Sequence, residues 1–248
     1  GNTLTVPTFS QYDSTDGNLK VSKTVDSKGD TTIRMMKYAC DYISAISPSV
    51  NNEIKSLIDN NMQAAPIEII TLLKKKNTTV STVQSAELYE YVDLKIKKVY
   101  HVFDQMPFSS FTVSYNDANG FYKDSHYQLE QEVIAWDAEG RPRTVVIKSN
   151  KSSYIWDEKY DQPISIVANA SYEDVACTSF EGQSNGSWTV NSTSRTNIYF
   201  VTGKQCYQLS NGSISKTGLN SSLDYILSYW SRNGSNNSFT VSGSSSVT

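Results

Sequence analysis

Alternating apolar and polar positions mark most of the first two thirds of the chain. Leu4-Thr5-Val6, Leu19-Lys20-Val21-Ser22-Lys23-Thr24-Val25 and Thr31-Thr32-Ile33-Arg34-Met35 are β-branched, partly alternating runs. Asp16-Gly17-Asn18 and Lys28-Gly29-Asp30 punctuate them, so the pattern predicts successive hairpins. Ile67-Glu68-Ile69-Ile70-Thr71-Leu72-Leu73 and the alternating stretch Val80 to Val92 flank a polar tip, Lys74-Lys75-Lys76-Asn77-Thr78, which predicts a long hairpin. Leu94 to Val102 alternates apolar with cationic side chains and fits a strand with one wet face. Further strands are expected at about 111–115, 126–137 and 142–149, with Asp137-Ala138-Glu139-Gly140-Arg141-Pro142 as the turn between the last two. One interval departs from period two. Ser49-Val50-Asn51-Asn52-Glu53, followed by Ile54, Leu57 and Ile58, has a cap candidate, an early carboxylate and helical spacing, which predicts a short helix over about 49–60.

Tyr12-Asp13-Ser14-Thr15-Asp16-Gly17-Asn18-Leu19 and Trp136-Asp137-Ala138-Glu139-Gly140-Arg141-Pro142 share a pattern of aromatic, Asp, small or acidic residues and Gly. An aromatic ending one strand, an Asp bonding its own turn and a Gly at positive φ make one hairpin unit.

Composition divides the chain. The length of 248 residues fits one large or two ordinary domains. Residues 171–248 hold 19 of the 37 serines but 8 of the 47 charged residues, which places a boundary near 168–174. The formal net charge of −3 argues against nucleic-acid binding, which needs clustered excess cations. No apolar run approaches the length of a membrane-spanning helix, so no membrane insertion is expected.

The segment 154–188 carries a specific resemblance. Tyr154-Ile155-Trp156-Asp157 leads through Tyr160-Asp161-Gln162-Pro163-Ile164-Ser165 to Ala168-Asn169-Ala170. Ala176-Cys177-Thr178-Ser179-Phe180-Glu181-Gly182 and Gly186-Ser187-Trp188 follow. This resembles the passage in large bacterial RHS/YD-repeat surface proteins where an extended strand and a Tyr-x-x-Pro turn precede a Thr-Ser-Phe-Glu motif opening a β-sandwich insert. Lys204 to Leu209, Ile214 to Leu219 and Tyr225 to Trp230 are similar to later strands of that insert, and Ala65-Pro66-Ile67-Glu68 to a segment of the repeat region. The resemblance implies a mainly β fold: an antiparallel RHS/YD-type sheet with one or two short helices over 1–170, then a partial jelly-roll-like β-sandwich over 171–248. It also implies a non-catalytic scaffold in a secreted or cell-surface protein, partnered by the rest of the parent polypeptide, with a carbohydrate-binding module that attaches it to glycans as the alternative. The Asp-Pro-rich self-cleavage motif of such proteins is absent, and 78 residues are few for an eight-stranded jelly roll, so the chain is expected to stop inside the module.

Candidate chemistry is sparse. In modules of this kind the Glu after the Phe joins a structural Ca²⁺, which makes Glu181 the metal candidate. Trp188, Tyr207, Tyr229 and Trp230 are the candidates for stacking on sugar rings, against the reading that they pack inside a sandwich. His101 and His126 are isolated, no nucleophile has a base at interpretable spacing, and Glu130 with Glu132 reads as a solvated strand edge, so no enzyme is expected. Cys177 and Cys206 are either neighbouring partners in a disulfide or buried free thiols.

Overall fold

The computed structural model describes residues 6–45, 52–117, 119–157, 162–191, 194–200 and 203–231. The chain is mainly β and divides into two compact units, residues 1–134 with 146–149, and residues 135–145 with 150–248.

The first unit is built on an antiparallel meander. β1 (Thr8–Tyr12), β2 (Leu19–Val25), β3 (Thr31–Tyr38), β4 (Pro66–Lys74), β5 (Ser81–Val92) and β6 (Lys95–Val102) each pair with the next in sequence. The expected hairpins and the long hairpin at 67–92 are therefore present, while Leu4 and Thr5 lie outside the described residues. Two-residue β7 (Met106–Pro107) pairs with Thr82 and Val83 of β5. β8 (Tyr115–Asp117) and β9 (Gly120–Tyr122) form a separate small hairpin, after which β10 (Gln128–Trp136) returns beside β6.

Two apolar clusters support this unit. Ile70, Leu72, Val83, Ala86, Leu88 and Val102 of the sheet pack with Met106, Phe111 and Tyr127 from the excursion that follows β6. Ala39, Tyr42, Ala65, Ile67 and Tyr91 pack with Ile54 and Leu57 of α1 (Asn52–Asp59). The helix lies where its spacing predicts, although Ser49 to Asn51 are outside the described residues. It ends as a Schellman motif: Asn61 takes φ 61°, its N–H bonds the Ile58 carbonyl at 3.0 Å, and the Met62 N–H bonds that of Leu57 at 2.8 Å.

Two sequence expectations shift. Leu94 belongs to a tight turn rather than a strand, because Asp93 and Leu94 both take positive φ, 49° and 64°, as a two-residue hairpin of primed type requires. Its side chain packs against the helix cluster, and that burial offsets the cost of the conformation, about 1 kcal/mol. Residues 111–114 have no regular secondary structure behind a short 3-10 turn at Phe108–Ser110, and Tyr115 is the first residue in a ladder. The backbone amide of Ser114 is committed to a side chain instead, as described below.

The hairpin unit is a geometric repeat, and its best-matched copies are not the pair of segments read from the sequence. At Asp26-Ser27-Lys28-Gly29-Asp30 the Asp26 N–H bonds the Asp30 carbonyl at 2.9 Å and the Gly29 N–H bonds the Asp26 carbonyl at 3.0 Å. The Asp30 N–H bonds Asp26 Oδ1 at 2.9 Å. Asp137 to Arg141 repeats all three bonds at 2.9, 3.1 and 2.7 Å, and Gly29 and Gly140 share φ 83°. The turn after Tyr12 is a version one residue longer: Asp13 bonds Asn18 rather than the residue four on, and Gly17 has φ 72°. The strand before Asp26 ends in Val25, so the unit does not need the aromatic.

The second unit holds β12 (Asn150–Trp156), β13 (Pro163–Ala168) and residues 142–145 of β11 (Pro142–Ile147), and the strands are neighbours in the order β11, β12, β13. Trp156 Nε1 donates to the Pro142 carbonyl at 2.7 Å, and the buried hydroxyls of Thr144 and Ser153 lie 3.3 Å apart. Beyond 171 the described residues hold a two-residue ladder between β14 (Arg195–Thr196) and β15 (Cys206–Tyr207) and a bridge between Thr189 and Ser215. Tyr225 to Trp230, expected as a strand, has no regular secondary structure.

Gly140→Ala puts a Cβ on a left-handed turn residue and is expected to lower stability by about 1 kcal/mol in urea unfolding followed by tryptophan fluorescence. An unchanged midpoint would show that the turn does not hold this backbone in solution.

Candidate functional site

β3 and β4 place Lys37 directly opposite Glu68, and the strand period turns Glu68, Ile70 and Leu72 to the covered side. Glu68 is completely buried. Its Oε2 accepts the Ser114 N–H at 2.9 Å and the Ser114 hydroxyl at 2.7 Å, and its Oε1 accepts the Tyr127 hydroxyl at 2.9 Å. Because Ser114 Oγ gives its proton to Glu68, the Tyr42 hydroxyl 2.6 Å away is the donor in that contact. The Ser114 carbonyl accepts Lys37 Nζ, whose ammonium also sits 4.5 Å from the centre of the Tyr42 ring. Ser114 is thus tied to the sheet through its N–H, its hydroxyl and its carbonyl.

The electrostatics follow from burial. Desolvation raises the Glu68 pKa against three donors and the Lys37 charge, and it lowers that of Lys37 against the charges of Glu68 and Asp41. Burial, then the adjacent carboxylate, raises Tyr127, and burial raises Tyr42. Nearby, Asp124 accepts the N–H groups of Thr112 at 2.6 Å and His126 at 2.8 Å and the His126 ring at 2.6 Å. Burial opposes ionisation there, but these donors outweigh it and hold the Asp124 carboxyl below its ordinary range.

A cavity of about 350 Å³ opens beside this network, lined by Val21, Met35, Lys37, Glu68, Ile70 and Val113, with Asp13, Lys20 and Asp41 also contributing. Lys20 Nζ bonds Asp41 at 2.6 Å and Asp16 at 3.0 Å. Asp16 also accepts the Cys40 thiol at 3.0 Å, and burial followed by this bond pushes the thiol up to about 11. Asp16, Cys40 and Asp41 form the one group among the described residues with metal-like spacing. The Lys20 ammonium bonds both carboxylates and offsets one of their two charges, so it reads as an ion-pair cluster.

The residues read from the sequence fall elsewhere. Glu181 Oε1 accepts the N–H groups of Lys204 and Gln205, both at 2.7 Å, and a Cβ on Gly203 would lie 2.3 Å from the same oxygen. The carboxylate is a clamp on the loop before β15, and no further carboxylate joins it in a metal-like group among the described residues. Trp188 is half-buried. Tyr207 packs against Phe180 at 5.3 Å, accepts the Asn191 N–H at 3.2 Å and donates to the Ser213 carbonyl at 3.4 Å. Tyr229 and Trp230 are 50% and 85% exposed, so the four aromatics do not share one environment. Arg195, which the sequence reading passed over, donates to the carbonyls of Gly182, Gln183 and Ser184 and to Asn185 Oδ1, and so shapes the loop that presents Glu181. All three cysteines are free thiols.

The remaining acid–base candidates are paired structurally. His101 lies 3.0 Å from Glu130, Glu132 lies within 4.0 Å of Lys97 and Lys98, and both glutamates sit on a strand paired with β6 rather than on a solvated edge. Compared with known protein families, curated proteins and solved structures, the chain has no match in any of the three.

Glu68→Leu strands the Ser114 and Tyr127 donors and the Lys37 charge, and is expected to cost about 3 kcal/mol in denaturant unfolding. Because the folded Glu68 pKa lies above its unfolded value, the wild type should lose stability as pH rises from the ordinary Glu value through the raised one, where the unfolded chain ionises first. Glu68→Gln should flatten that slope in a pH series of melts.

Proposed function

We propose that the chain is a non-catalytic β-scaffold segment of RHS/YD-repeat type, from a secreted or cell-surface protein whose remaining polypeptide is its main partner. The observation that carries this reading is the recurrence of one Asp-x-x-Gly hairpin turn, with the same three hydrogen bonds, at 26–30 and 137–141. A tyrosine-aspartate repeat makes hairpin turns of this kind after an aromatic, a place taken by Trp136 before Asp137 and by Val25 before Asp26. The polar groups that resemble catalytic pairs also favour it, since Glu68, Asp124, His101 and Glu132 are each occupied by hydrogen bonds or ion pairs within the fold. Incubated with chromogenic glycoside, ester and peptide substrates, the protein is expected to give no turnover above buffer. Turnover that Glu68→Gln abolishes would overturn the scaffold reading.

The second reading, a carbohydrate-binding module, is favoured by one observation, the 85% exposure of Trp230 beside half-exposed Tyr229. An indole left in water presents a flat face to the C–H surface of a pyranose. On a glycan array the module reading predicts binding that Trp230→Ala reduces at least about tenfold, about 1.4 kcal/mol. Trp188→Ala, which removes a half-buried ring, serves as the comparison, and no binding to any glycan would exclude the module role for this chain. If Glu181 takes part in a structural Ca²⁺, a chelator lowers the melting midpoint; an unchanged midpoint leaves it as the loop clamp described above.

A further inference from the structure

The cavity beside Glu68 has a polar inventory that is almost fully used internally. Both Glu68 oxygens are filled by Ser114 and Tyr127. Lys20 is held by Asp16 and Asp41, while Asp41 spends its other oxygen on the Tyr38 N–H at 2.8 Å. The largest unused capacity in the lining, among the described residues, lies at two groups. Lys37 has three N–H donors, of which one goes to the Ser114 carbonyl. Asp13 Oδ1 accepts the Thr15 and Asp16 N–H groups at 2.7 and 3.3 Å, which leaves Oδ2 to accept. The apolar part of the lining includes Val21, Met35, Ile70 and Val113.

From this arrangement we propose that the cavity binds a small zwitterion of dipeptide size, its carboxylate on Lys37, its ammonium on Asp13 and its apolar side chains against Val21, Met35, Ile70 and Val113. Hydrogen-bonding capacity favours a zwitterion over a simple ion, with donors open at Lys37 and an acceptor oxygen open at Asp13. The lining holds two cations, Lys20 and Lys37, and three carboxylates, Asp13, Asp41 and Glu68. A free anion would lie near Glu68 and a free cation near Lys37, each with no second charge of its own to offset the repulsion. A zwitterion adds no net charge and meets one opposite charge at each end.

Length sets the size class. Asp13 directly follows β1 and Lys37 lies on β3, two strand spacings away, or about 10 Å between backbones. Two extended residues span about 7 Å, and the two protein side chains close the remainder. A single α-amino acid carries both charges on one carbon and would leave one end of the site unmatched. The volume of about 350 Å³ falls in the range of small-ligand pockets, and the unbranched Met35 can repack around different side chains. This site goes beyond the scaffold role and does not depend on it.

The test is an amide and methyl NMR titration of the whole chain with L-alanyl-L-leucine, its N-acetyl form, its C-terminal amide and the doubly capped form. The free dipeptide is expected to shift Val21, Met35, Ile70 and Val113 saturably, and each cap to weaken binding about tenfold or more, about 1.4 kcal/mol per cap. Asp13→Asn should erase the preference for the free amine, and Lys37→Met the preference for the free carboxylate. Because Lys37 also braces Ser114, the capped ligands on the unaltered protein carry the decision if that variant does not fold. No saturable shift up to about 10 mM, or equal binding of the doubly capped form, overturns the proposal.

Discussion

The seating of the segment between β6 and β10 on the sheet depends on one carboxylate being accepted in a place where carboxylates are costly. A Glu buried without partners loses several kcal/mol of hydration, and Coulomb attraction to one lysine does not by itself restore it. Glu68 is tolerated because Ser114 and Tyr127 surround it with donors. Those donors come from the excursion between β6 and β10, so they add a second bonded seat on the sheet to the ladder that β7 makes with β5. Apolar contacts such as Phe111 and Tyr127 against Ile70 and Leu88 supply area without direction. The hydrogen bonds to Glu68 supply the direction, and the cavity beside Lys37 is the space left once Ser114 is in position.

The turns perform a related task at the sheet ends. Each Asp takes up backbone N–H groups that the chain reversal would leave bare, and Gly supplies the positive φ that closes the loop. Asp30 adds a link between separate hairpin tips, since it holds Lys75 at 2.8 Å and the Lys76 N–H at 2.8 Å. The lysine run at 74–76 is therefore partly tethered rather than simply solvated.

What could be read beforehand was what depends on local pattern. The period of two located β2 to β6, and Ile54, Leu57 and Ile58 located α1, because those signals repeat within a few residues. Leu94 was opaque because an apolar residue at positive φ is unfavourable alone and becomes acceptable only after it packs against the helix cluster. Glu68 read as the polar member of an alternating strand, and nothing near it in sequence announces donors 46 and 59 residues away. Arg195 was missed for the same reason, since its partners are backbone carbonyls, which carry no sequence signature. The segment 225–230 departs in the opposite sense: its aromatics satisfy a strand pattern, yet it pairs with no strand among the described residues.

The fully buried Glu68 has a further consequence in the order of assembly. Hairpins joined by turns of a few residues form early, whereas the closures across 39–65 and 103–127 bring distant chain together and cost more entropy. Until the second closure is complete, the growing sheet shows an apolar face interrupted by an ionised, hydrated carboxylate between Ile70 and the helix cluster. A charge in that place discourages two unfinished sheets from stacking on each other, as gatekeeper residues do beside hydrophobic strands. The group that fixes the finished structure thereby also guards the unfinished one, and it gives up that role when Ser114 arrives.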